Sequence, residues 1–288
     1  MTGLTPISGP EAANALAESL AQVGELVPYL KADIGAVNWV RPGTGVETMG
    51  DETWLSCQDL TTDSDWLGKV IEGTGRAIGT DDQVVAASLF VQGYSYRLLA
   101  LALASLTVTG VVPESSPGSL AVRLGRGRAS KISYLNPKVF RLTNGGSPGQ
   151  ALSDGHTADK ALSLLLTQVI EGHLRPLIAA TRMYIQIGQR LLWGNVAASA
   201  STAFRTMEGC LGPWVEPLGL RFFELAPPDL QGLGSFLLIE RPGRRGWFWE
   251  RTNCCLFYQI EGKAKCADCS LTSDADRRQA YMRSLTVS

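Results

Sequence analysis

Apolar residues recur at three- and four-residue spacing through residues 10–27, at Ala13, Leu16, Leu20, Val23 and Val27. That rhythm predicts an amphipathic helix ended by Pro28, since the residue before a proline is pushed out of the helical region. Residues 28–62 hold Pro42, four glycines and little periodicity, and read as a long, partly strand-like connection. Asp63 or Ser64 caps a helix through Trp66, Val70 and Ile71, with Gly73 and Gly75 as its stop. The strongest helical signal of the first half spans 81–106, opened by Thr80, Asp81 and Asp82. After a turn-rich break at 113–118 the period changes to two. Leu120, Val122 and Leu124 alternate, Gly125-Arg126-Gly127 turns the chain, and Ile132 and Tyr134 alternate again, as a β-hairpin requires. Residues 144–150 read as a loop. Helical spacing returns over 157–190, where Pro176 either kinks the helix or opens a second one. Trp193-Gly194-Asn195 breaks the pattern and 196–207 resumes it. Short strands at 236–239 and 247–249 flank a turn at Pro242-Gly243, and 274–285 forms a final helix. The expected fold is α+β: a mainly α-helical body with a small antiparallel β element over residues 1–227, and a C-terminal segment, 228–288, packed on it.

Composition adds bounds. A chain of 288 residues with 45% hydrophobic content buries enough surface to need no disulfide support. A net charge of −1 argues against a nucleic-acid partner. That total hides an asymmetry: residues 1–118 carry a balance of −9 and residues 119–288 one of +8. An acidic partner or anionic ligand belongs to the second half. The longest uninterrupted apolar run, 98–112, is too short to span a bilayer and suits a core helix. Peripheral membrane association stays open. No basic and apolar leader follows Met1, so the expected location is cytoplasmic.

Cysteine placement carries the chemistry. Cys254, Cys255, Cys266 and Cys269 fall within 16 residues, whereas Cys57 and Cys210 stand alone and read as small buried hydrophobes. Clustered thiols in a reducing compartment point to a metal rather than to disulfides. Four thiolates suit either a tetrahedral zinc ion or the two irons of a [2Fe-2S] cluster. Neighbouring side chains of an extended strand point to opposite faces, so the vicinal pair needs irregular backbone to serve one centre. Zinc sites usually pair two Cys-x-x-Cys elements, which this chain lacks. Spacing alone leaves iron–sulfur, zinc and free thiols open.

The array Cys254-Cys255-x10-Cys266-x2-Cys269, within Arg251-Thr-Asn-Cys-Cys-Leu-Phe-Tyr and Lys265-Cys-Ala-Asp-Cys, resembles the signature of the FhuF family of ferric-siderophore reductases. Leu192-Trp193-Gly194-Asn195 resembles that family's helical part. Ala267 and Ser270 stand where the family often has Gly and Pro; neither change removes a thiol. The resemblance implies that the four cysteines hold one [2Fe-2S] cluster. It also implies a cytoplasmic, one-electron reduction of a ferric siderophore; since the sequence shows no nucleotide or flavin site, the electrons are expected from an external donor protein such as a ferredoxin.

Other candidates are weaker. His156 and His173 show no spacing of a catalytic constellation. Gly73-x-Gly75-x3-Gly79 follows a helical rather than a strand pattern and is not a dinucleotide fingerprint. Arg123, Arg126, Arg128 and Lys131 on the hairpin, and Arg241, Arg244, Arg245 and Arg251 before the cysteines, are basic. Of these, Arg244, Arg245 and Arg251 are the expected docking residues for chelate or donor. Trp247 and Trp249 are expected to wrap the cluster. Two other functions fit the residues less well: a [2Fe-2S] carrier with no small-molecule substrate, and a structural zinc protein.

Overall fold

A computed structural model describes residues 3–38, 40, 53–125, 128–143 and 146–285. Strand β1 (Leu4–Ser8) leads into α1 (Gly9–Leu26), which ends just before Pro28. The connection predicted over 28–62 is more ordered than its composition suggests. It contains strands β2 (Ala32–Ile34) and β3 (Trp54–Ser56), then helix α2 (Cys57–Thr62), capped by the Ser56 hydroxyl. Pro42 lies outside the described residues. Asp63 caps α3 (Ser64–Ile78), accepting from the Trp66 N–H at 2.9 Å.

Helix α3 does not stop at Gly73 or Gly75. A Cβ at Gly75 would meet the Thr80 carbonyl at 2.8 Å, so that glycine serves a close approach, not a break. The stop is Gly79, whose left-handed φ of 78° closes the helix. Helix α4 (Gln83–Thr109) is opened by Asp82 and closed by left-handed Gly110. Its 27 residues are long and apolar enough to cross a bilayer by length and composition. Here every residue from Leu98 to Thr107 is buried. A helix that is apolar all round finds its solvent in the protein core.

Strand β4 (Val111–Pro113) follows, then β5 (Leu120–Gly125), β6 (Arg128–Tyr134) and β7 (Lys138–Leu142). The predicted hairpin is β5–β6, with Val122 opposite Ile132 and Arg123 opposite Lys131. Arg126 and Gly127 at its turn lie outside the described residues. The hairpin belongs to a four-stranded sheet, β2-β6-β5-β3, in which β2 runs parallel to β6. A second sheet, β1-β7-β4, brings the N-terminal strand beside Lys138–Leu142.

The predicted 144–150 loop gives way to α5 (Pro148–Ser153), capped by Ser147; residues 144 and 145 lie outside the description. Helix α6 (Gly155–Leu165) widens into a π-helix over Leu166–Leu174 and returns to α geometry in α7 (Arg175–Tyr184). Pro176 sits in the first turn of α7, so the widening falls just where a proline cannot donate to the preceding turn. Helix α8 (Gln189–Leu211) runs unbroken through Trp193-Gly194-Asn195, contrary to the predicted break. Tertiary contacts, described below, explain Gly194 and Asn195. Helices α4 and α8 form the most extensive helix pair.

Helix α9 (Glu216–Leu225) precedes the hairpin β8 (Gly234–Arg241) and β9 (Arg244–Arg251), and α10 (Asp274–Ser284) ends the described chain. Trp247 and Trp249 belong to the main core, not to a wrapping around the cysteines. Trp247 stacks on Phe236 with centroids 3.6 Å apart, and Trp249 stacks on Phe223 at 4.6 Å. They anchor the hairpin to the body. A glycine at position 219 makes room, since a Cβ there would meet Trp247 at 2.4 Å.

Candidate cluster site and cleft

Strand β9 delivers the chain directly to the vicinal pair. The backbone irregularity that adjacent cysteines require is supplied by Leu256. Its φ of 67° makes it the one non-glycine with positive φ among the described residues. A leucine in that region costs on the order of 1 kcal/mol, a strain that the surrounding contacts must hold in place. The bend lets the Leu256 N–H donate to Cys254 Sγ at 3.3 Å. A short 3-10 turn, Phe257–Gln259, follows. The other pair sits on a tight turn in which the Cys269 N–H donates to the Cys266 carbonyl at 3.1 Å.

The two turns bring the thiols within electrostatic reach of one another, Cys254 and Cys266 each feeling Cys255 and Cys269. Cys255 and Cys269 are buried, while Cys254 and Cys266 are partly open to solvent. Cys266 donates its S–H to Cys255, which pulls the Cys255 thiol down to about 6 and pushes Cys266 upward. The Phe257 N–H and the Arg251 guanidinium also favour the Cys255 thiolate, against its burial. Burial, with the neighbouring Cys255 and Cys269, raises Cys254. Four soft thiols, with Asp268 as the neighbouring carboxylate and no imidazole among them, fit iron–sulfur chemistry. Among the described residues no three His, Cys, Asp or Glu are arranged to hold a single metal ion.

A chain of hydrogen bonds ties this turn to the two long helices. Ser88 on α4 donates from Oγ to the Cys255 carbonyl at 2.8 Å. Asn195 on α8 donates from Nδ2 to the Ser88 carbonyl and hydroxyl, both at 2.8 Å. Arg251 donates from Nη2 to Asn195 Oδ1 at 2.8 Å and from Nε to the Asn253 carbonyl at 2.7 Å. Asn253 donates from Nδ2 to the Leu191 carbonyl at 3.2 Å. Leu191, Gly194 and Asn195 are therefore the seat of the cysteine segment, and Gly194-Asn195, which looked like part of a break, is a contact surface. Ser88 carried no recognisable signal in sequence, because its role depends on a partner 167 residues away.

The expected docking arginines divide. Arg251 is buried, with 2% exposure, so it is no surface rim residue; its guanidinium is committed to Asn195 and Asn253. Arg245 pairs with Glu216 at 2.8 Å, and Arg244 donates to the Leu285 carbonyl. On the hairpin, Lys131 pairs with Asp33 at 2.6 Å and Arg123 lies over the Trp54 ring. Cys210 is exposed, against expectation, while Cys57 is buried beside Tyr94.

Against the thiols lies a cleft of about 340 Å³. Cys255, Cys266, Phe257 and Arg251 form one wall; Leu89, Gln92 and Tyr96 of α4 and Ser199 and Thr202 of α8 form another. Arg128 of the hairpin, Asp268, and Thr74 and Ile78 of α3 also line it. A larger groove of about 690 Å³ between α5, α6 and α9 touches none of the cysteines, so size alone does not mark the site.

His173 lies elsewhere, fully buried in the π-helix. Its Nδ1 donates to the Ser115 carbonyl at 2.7 Å, leaving Nε2 to accept from the Tyr94 hydroxyl at 2.6 Å. Burial holds its pKa down to about 4, against the raising effect of the Ser115 carbonyl. It is a structural histidine.

Comparison with known proteins agrees with the site. Residues 88–238 match the family described as ferric iron reductase FhuF-like transporter, and residues 251–271 match the FhuF 2Fe-2S C-terminal domain. No curated protein matches the chain. Among solved structures, the aerobactin synthetase IucC from a hypervirulent pathotype of Klebsiella pneumoniae aligns with a TM-score of 0.49 and 15% identity. The alignment covers 76% of this chain and 42% of that one, so the chain spans less than half of the synthetase. With the match running from within α4 to within β8, over half of the chain, and all four thiols present in the matched C-terminal domain, this chain belongs to the FhuF-like ferric iron reductase family and carries its [2Fe-2S] domain.

Proposed function

We propose that this chain is a cytoplasmic ferric-siderophore reductase, taking single electrons from an external donor such as a ferredoxin and passing them to chelated Fe(III). The observation that carries the reading is the cleft, whose wall includes Cys255 and Cys266. A chelate seated there lies directly against two of the four thiols. Cys254, Cys255, Cys266 and Cys269 are the ligand set, and the [2Fe-2S] cluster they hold supplies a one-electron couple.

The remaining residues arrange the encounter. Ser88, Asn195 and Arg251 hold the vicinal turn against α4 and α8. Phe257 and Leu89 give the cleft apolar surface that displaces water, and Arg128 places a positive charge among its lining residues. The substrate iron is a hard, highly charged ion gripped by oxygen donors. One added electron lowers its charge and loosens that grip, releasing Fe(II). A simple carrier needs no such cleft, which favours the reductase over the electron-transfer alternative.

The test is a single turnover without oxygen. The loaded protein is reduced, freed of excess reductant and mixed with a ferric siderophore in the presence of a ferrous trap. One trapped Fe(II) per cluster, together with return of the oxidised visible spectrum, is the expected result. A reduced protein that keeps its spectrum in excess chelate would overturn the reading.

A further inference from the structure

Arg251 is a buried cation with no ion-pair partner among the described residues. Its two acceptors, Asn195 Oδ1 and the Asn253 carbonyl, are both neutral, and no described carboxylate pairs with it. Four other arginines are ion-paired: Arg175 with Asp229, Arg221 with Asp159, Arg245 with Glu216 and Arg277 with Asp274. Taking a charge out of water without an opposite one is costly, so buried charges are normally paired. What Arg251 has beside it are thiols: it lines the cleft with Cys255, Cys266 and the unbonded Asp268, and it stands just before the turn that presents Cys254.

We propose that Arg251 and Asn195 act as one unit that sets how readily the cluster accepts its electron. The buried guanidinium supplies positive charge to the thiolate-bound centre, and Asn195 holds it there without neutralising it. Accepting one electron from the external donor adds one negative charge to a centre that is already anionic. A fixed cation therefore favours the reduced state over the oxidised one. An aspartate at position 195 would still accept from Arg251 and would cancel its charge, while giving up the two Nδ2 bonds to Ser88. The asparagine is the choice that leaves the field in place. Both are positioning residues; neither transfers the electron. The inference rests on the four cysteines holding the cluster.

The test is a redox titration of the loaded protein, followed by its visible spectrum with no chelate present, so a failure of chelate reduction is read separately. The variants are Arg251→Lys, Arg251→Gln and Asn195→Asp. At a fixed potential, Arg251→Gln and Asn195→Asp are expected to lower the ratio of reduced to oxidised protein at least tenfold. For one electron that is a midpoint shift of about 59 mV. Arg251→Lys keeps the charge and is expected to stay within about threefold of the parent. If Arg251→Gln fails to take up iron, Asn195→Asp decides by the same criterion. A parental midpoint in the neutralised variants, or a lysine variant shifted as far as the glutamine one, overturns the proposal.

Discussion

Asn253 lies against Gly194 so closely that a Cβ on the glycine would stand 1.9 Å from Asn253 Nδ2. The contact joins the second turn of α8 to the residue just before the vicinal cysteines, and it leaves no room for any side chain at position 194. Gly194→Ala must displace Asn253, break its bond to the Leu191 carbonyl and shift the Cys254 turn. Overpacking of this kind costs about 1–3 kcal/mol. The expected outcome is a lower melting temperature and less than full iron content. A variant with parental values of both would show that the turn relaxes without loss.

Replacing cysteines one at a time separates ligands from bystanders. Cys254→Ser, Cys255→Ser, Cys266→Ser and Cys269→Ser are each expected to abolish or grossly alter the visible spectrum of the anaerobically loaded protein. Cys57, whose thiol is pushed up to about 12 by burial, and exposed Cys210 are expected to tolerate serine with the spectrum intact. An unchanged spectrum in Cys254→Ser would remove the vicinal residue from the ligand set.

Stability should fall on mild acidification because of His173. Its folded pKa, about 4, lies below the unfolded value of about 6.5, so between these the unfolded chain binds more protons. Stability is therefore intact above pH 6.5 and is lost progressively as pH falls toward 4, by on the order of 3 kcal/mol from this group. Denaturant midpoints measured across that range should flatten in His173→Gln, which has no imidazole to protonate. An acid limb equally steep in the variant would assign the loss to other groups.

Arg128 is the exposed arginine lining the cleft, and reversing it tests the route of the chelate. Arg128→Glu is expected to reduce kcat/KM severalfold for anionic ferric chelates and least for cationic ones. The loss should grow at low ionic strength, where screening is weakest. Equal rates for both chelate classes at low salt would place the entrance elsewhere. Arg245→Glu is the poorer probe, because it sets a second carboxylate against Glu216 and disturbs packing as well as field.

The helical body, the β5–β6 hairpin and the four-thiol array are legible along the chain, because each is written in local periodicity or spacing. Asp63 and Asp82 announce their helices through caps that need no distant partner. The family, too, was legible, since Cys254-Cys255-x10-Cys266-x2-Cys269 is contiguous. Local rules misread glycines. Gly75 and Gly194 look like breaks, yet both lie inside helices where another part of the chain, Thr80 or Asn253, comes too near for a Cβ. The same limit applied to charge: Arg251 reads as one more surface arginine until the fold buries it between Asn195 and Asn253. Nothing in a single sequence signals that Ser88, Asn195 and Cys255 meet, because hydrogen bonds across more than a hundred residues depend on how α4 and α8 pack. Spacing selected the chemistry. Packing decided which residues surround it, because burial and long-range contacts come into being only when the helices close on one another.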